Sequence, residues 1–134
     1  MQKKSSAHSK FCFFICISLY SGIIGNMKRK TIRNHRDFYT SPDAPVVINP
    51  FFITKTKSAV KKDSRYGLIV SKKVFKLATN RNRAKRLLRD WLAHCENLLV
   101  PNKDYIFVAR APILGCKRPE GRQKMAAALK KLAK

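Results

Sequence analysis

Between Asn80 and Leu99 the apolar residues Ala84, Leu87, Leu88, Trp91, Leu92, Cys95, Leu98 and Leu99 recur at i, i+3, i+4 and i+7. That is the spacing of one buried face of an α-helix, and Pro101 predicts its stop. The same stretch begins "NRNRAKRLLRDW", with five cations in twelve positions. At about 100° per residue, the apolar positions fill one arc, running from Leu87 round to Leu92. Lys85, Arg89, Asn82 and Arg86 fill a neighbouring arc; Arg81 borders both and Arg83 points away. The guanidinium fork pairs bidentately with phosphate oxygens, and Asn82 adds a donor and an acceptor for a base edge or a ribose hydroxyl. A solvated charged face usually mixes signs at i, i+4. Here Asp90 is the only acid between Asp63 and Glu96, so the pattern predicts a helix anchored by one face and offering the adjoining face to a polyanion.

The whole chain agrees with that reading. Its 134 residues suit one domain. Thirty Lys and Arg against seven Asp and Glu give a formal charge of +23, and self-repulsion on that scale favours a bound polyanion. Nucleic acid is the leading candidate and an anionic membrane the second. An apolar content of 45% argues against a disordered basic tail. Cys12, Cys16, Cys95 and Cys116 form no CxxC pair, and no His cluster has zinc spacing. Free thiols in a reducing compartment fit best.

Residues 1–26 differ from the rest. "MQKKSSAHSK" is basic and "FCFFICISLYSGIIG" is apolar, the shape of a signal peptide or of a short anchor. The other reading places the true start at Met27, whose "MKRK" resembles a fresh basic N-terminus. On that reading 1–26 is an extension outside the fold and 27–134 is the domain, with 27 basic residues against all 7 acids.

The coarse order from Thr31 is α, β, β, β, α, β, α. "TIRNHRDFY" predicts a short first helix stopped by "SPDAP". "VVINPFFITKTK" predicts two strand pieces broken at Pro50, and "KSAVKKDS" a polar loop. "RYGLIVSKK" predicts a strand, apolar on both faces and so expected at the centre of its sheet. "DYIFVARAP" is another strand. A basic C-terminal helix follows, with Met125, Leu129 and Leu132 expected to dock on the body. The class is α+β, a small single domain with helices packed on a sheet.

"RYGLIVSKKVFKLATNRNRAKRLLRDW" resembles the signature of the bacterial ribonuclease P protein subunit family. "TIRNHRDF" and "DYIFVARAP" are similar to the family's first helix and its last strand. The resemblance implies an αβββαβα domain whose mixed sheet contains a left-handed βαβ crossover, against the usual right-handed rule. It implies a cytoplasmic protein that binds a catalytic RNA and helps remove the 5′ leader of precursor tRNA. It implies no membrane and no obligatory protein partner. Phosphodiester hydrolysis would belong to the RNA, with Mg2+ held mainly there and no catalytic or metal-binding side chain in the protein. By matching positions, Lys72, Lys73, Arg81, Asn82, Arg83, Lys85, Arg86 and Arg89 would dock on the RNA subunit. Phe38 would line the leader cleft, where an aromatic can stack unpaired bases without sequence preference; a plain core role is the alternative. Phe52 and Tyr66 are further cleft candidates. Three departures stand out. Pro42 replaces a frequent second aromatic, "VFKLATN" is one residue longer than in many members, and Asp90 stands where Glu is usual.

Three rivals are weighed against this. A stand-alone nuclease needs clustered carboxylates or histidines. His94 lies one turn from Asp90, but Glu96 projects elsewhere, and His8 and His35 have no obvious acid–base partner. A general basic nucleic-acid-binding or ribosomal-type protein shares the charge but not the strand-plus-helix motif. A membrane-anchored basic protein would rest on residues 11–25.

Overall fold

The computed structural model describes residues 31–59 and 62–134. The 1–26 extension, with Cys12 and Cys16, lies outside the described residues, as does part of the polar loop.

Four strands make one mixed sheet. Strands β1 (Val46–Ile48) and β2 (Phe52–Ser58) form an antiparallel pair broken at Pro50, as expected. Strand β2 also pairs antiparallel with β4 (Lys103–Ala109), and β4 pairs parallel with β3 (Arg65–Ile69). The order β1-β2-β4-β3 puts β4 inside and β3 at the edge. This corrects the expectation of a central β3. Both of its faces are apolar because both are covered, and not because strands flank it on two sides. Among the described residues its outer edge carries a parallel bridge to Thr31, with the Ile32 N–H donating to the Tyr66 carbonyl at 2.8 Å.

Helix α1 (Ala78–His94) connects the adjacent parallel strands β3 and β4. It buries Ala84, Leu88, Trp91 and Leu92. Its end comes earlier than Pro101 predicts, because the apolar pattern runs on through a 3-10 turn, Glu96–Leu98. Asn102, at φ 62°, then makes the left-handed corner that starts β4, a conformation Asn tolerates better than most residues. Helix α2 (Arg118–Ala133) docks through Met125, Leu129 and Leu132 as expected, and Lys103 Nζ donates to the Leu132 carbonyl at 3.0 Å.

Pleat alternation and the register give each sheet face its residues. Phe52, Thr54 and Thr56 of β2 share a face with Tyr105 and Phe107 of β4 and with Tyr66 of β3. This face meets the helices: Phe52 lies 6.2 Å from Trp91 and 6.1 Å from Phe107, ring centre to ring centre. The other face carries Lys55, Lys57, Ile106, Arg65 and Gly67. Both α-helices pack on the first face, so among the described residues the second is covered only where the N-terminal segment crosses it.

That segment holds less helix than expected. Only His35–Phe38 is helical, as a 3-10 turn with no side-chain cap and no buried residue. Tyr39 is already extended, and Pro42 biases the chain before it away from helix. So short a turn is not stable alone; its attachments to the sheet hold it.

Candidate nucleic-acid interface

On α1 the buried arc fixes the direction of the cationic one. Asn82, Arg83, Arg86 and Arg89 are exposed and Lys85 is half-buried. The one acid on the helix is taken up elsewhere: Arg122 of α2 grips both carboxylate oxygens of Asp90 at 3.1–3.3 Å. The other described ion pairs use Arg65 with Asp37 and Asp104. None of these draws on a cation of the stripe. It is therefore a row of like charges held rigidly beside a packed core, free to meet phosphates without first breaking a salt bridge.

Arg81 behaves differently from its neighbours. It is half-buried, and its Nη1 donates to the carbonyls of Phe75 and Lys76, both at 2.8 Å. Lys72 and Lys73 are exposed in the turn after β3, where the Lys73 N–H donates to Ser71 Oγ at 3.2 Å. Lys76, exposed beside them, was not singled out from the sequence. Its signal was its place in the run that joins "SKK" to the helix.

The second surface is the open sheet face. Phe38 lies across it, with its ring against Gly67, where a side chain would collide with Phe38 Cε1. A carboxylate–guanidinium clasp holds the turn there. Arg65 donates from Nε and Nη2 to Asp104 at 3.0 and 2.6 Å, and from Nη1 to Asp37 at 3.1 Å. The hydrogen bond to Asp104 keeps the Arg65 guanidinium above its already high ordinary pKa; burial opposes this, and Asp37 adds to it. Lys57 Nζ donates to the Asp37 carbonyl and, at 3.2 Å, to that of Tyr39.

Phe38 is half-buried, so part of its ring remains available. Phe52 and Tyr66 do not join it. Their side chains point to the helix side of the sheet and are 0% and 3% exposed. The cleft assignment of these two is corrected, because a base cannot stack on a ring sealed in the core. The exposed aromatic that sequence reasoning missed is Tyr39, 69% exposed and edge-on to His35 at 5.6 Å. Lys55 and Lys57 were missed as well; their signal was the Thr–Lys alternation of β2.

A family model for ribonuclease P matches residues 27–133. The chain belongs to the ribonuclease P protein family. Within it, the ribonuclease P protein component of Pseudomonas putida is 33% identical over 104 residues, 78% of this chain and 77% of that protein. An Exiguobacterium ribonuclease P protein component is 44% identical over 66 residues, 49% of this chain. This match spans only 56% of the length of that relative. The Staphylococcus aureus RNase P protein superposes with a TM-score of 0.63 at 25% identity, covering 76% of this chain and 94% of that one. The Thermotoga maritima RNase P protein gives 0.58 at 22% identity over 66% of this chain and 84% of its own, a likeness of fold alone.

Two chemical features of this ribonuclease P family member complete the site. Among the described residues no three His, Cys, Asp or Glu side chains come together as a metal set, and no helix is long and apolar enough to cross a membrane. Cys95 and Cys116 are free thiols. Burial pushes Cys95 up to about 11, although Arg122 and Lys130 pull the other way. Burial and then Glu120 raise Cys116.

Proposed function

We propose that this chain is the protein subunit of a cytoplasmic ribonuclease P particle. It binds the RNA subunit and the 5′ leader of precursor tRNA and so promotes the cut that makes the mature tRNA 5′ end. The observation that carries the reading is the stripe of Asn82, Lys85, Arg86 and Arg89, whose direction is fixed by buried Leu88, Trp91 and Leu92. Lys72, Lys73 and Arg83 extend it. Half-buried Phe38, with Tyr39 beside it, gives the leader a place to stack over the open sheet face. Lys55 and Lys57 lie on that face and supply charge for its phosphates. The protein positions and neutralises; Mg2+ held mainly by the RNA supplies the hydrolytic chemistry.

The test is reconstitution of the chain with a ribonuclease P RNA at low Mg2+, following leader release. The chain is expected to stimulate cleavage. Arg86→Ala and Arg89→Ala are each expected to weaken assembly and to lower the steepness of its salt dependence by about one. Unchanged affinity and slope in both variants would contradict the docking assignment. Leader removal by the chain with no RNA present would contradict the division of chemistry.

A further inference from the structure

The connection from β3 to α1 holds aliphatic side chains out in water, and it is built firmly enough to keep them there. Phe75 is its anchor, 2% exposed, with its N–H donating to the Ser71 carbonyl at 3.0 Å. From the first turns of α1, Arg81 braces the far side through the carbonyls of Phe75 and Lys76. On either side of Phe75 stand Val74 and Leu77, 47% and 63% exposed. Lys72, Lys73 and Lys76 neighbour them in the chain, all exposed. The sequence has no acid between Asp63 and Asp90. A loose loop would fold such side chains inward to leave water. This one is tied at both ends in the arrangement that prevents it.

We propose that residues 72–77 form a contact with the ribonuclease P RNA in which Val74 and Leu77 pack against an unstacked nucleotide while Lys72, Lys73 and Lys76 meet the flanking phosphates. The inference rests on the function proposed above and adds to it an apolar contact and its support. Two observations select RNA as the occupant. The only charged residues in the run 72–77 are the cations Lys72, Lys73 and Lys76, which suits a polyanion and repels a basic partner. The loop also runs directly into Arg81 and Asn82 at the head of the cationic stripe, so one nucleic acid can cover both. Aliphatic side chains do pack on and wedge between bases, and RNA offers unstacked bases in its loops and bulges. Arg81 is then a positioning residue, with Nη1 committed to the loop backbone and not to a phosphate.

The test titrates the full chain with a ribonuclease P RNA at several salt concentrations. Val74→Ser with Leu77→Ser is expected to weaken binding about tenfold, the scale of burying part of two aliphatic side chains. The salt slope should stay unchanged because no charge is lost. Thermal unfolding should also be unaltered, since both side chains are exposed. Arg86→Ala in the same series should reduce the slope. If Arg86→Ala weakens binding and the serine pair does not, the loop contact is overturned and the docking helix stands. Should none of the variants alter affinity, both fall. A chain that self-associates in sedimentation, loses this on serine substitution and keeps its RNA affinity would make the aliphatic pair a protein contact, which also overturns the proposal.

Discussion

A methyl group added at Gly121 would overlap Trp91 Cε2 and Cζ2. Trp91 is fully buried, and its Nε1 has no hydrogen-bond partner among the described residues, so apolar packing, Phe51 and Phe52 included, holds the ring. Gly121→Ala would gain about 1 kcal/mol of helix propensity and lose more to overpacking, which costs about 1–3 kcal/mol. The expected net effect is a destabilisation of up to about 2 kcal/mol, read as a lower urea midpoint with an unchanged slope. At Gly67 the obstacle is the half-buried ring of Phe38. Cys95 makes a second residue-level prediction. Its folded pKa of about 11 lies above the ordinary 9.0, so only the unfolded chain ionises between the two values. Its contribution is complete below pH 9 and lost as pH rises towards 11. Denaturation of the chain and of Cys95→Ala across that window should show the parent losing stability faster.

Among the elements, the 3-10 turn His35–Phe38 is tied to the sheet by side chains, Arg65 and Lys57. Arg65 joins fully buried Asp104 in the central strand to Asp37 in the turn. Arg65→Met would strand the Asp104 carboxylate without a partner, at a cost of about 3 kcal/mol. Asp37→Asn, which leaves the Asp104 pair whole, should cost less than about 1 kcal/mol. Chemical denaturation of both variants checks the difference. Legibility in the sequence follows the same division. Helix α1 was readable because its burial repeats within one element, and so was its cationic arc. The edge place of β3 was not, because an apolar run records covered faces and not neighbours. The face taken by Phe52 and Tyr66 was not legible either, because it is set by their register with the distant partners Ala109 and Tyr105 of β4. Tyr39 was missed because the expected helix would have carried the aromatic after Phe38, and the chain instead leaves the turn one residue later.

For the whole molecule, +23 is spread over 134 residues, against which the ion pairs of Asp37, Asp104 and Asp90 set little. Repulsion within the folded state should therefore be relieved by screening, since the Debye length falls to about 8 Å at physiological ionic strength. Thermal melts between about 50 and 300 mM NaCl are expected to show Tm rising by several degrees. A fall would mean that attractive pairs dominate.

The inner place of β4 has a consequence for how the chain reaches this state. The bond between Arg65 and Asp104 spans 39 residues, and the stretch between them contains the entire cationic helix. Closing that loop costs chain entropy before any strand contact repays it, and here the segment to be gathered in also repels itself. The return of β4 is therefore expected to be the slow step of folding, a rate that stopped-flow refolding measures. A polyanion at α1 would relieve that repulsion, so refolding in its presence is expected to be faster, and an unchanged rate would count against this order of events.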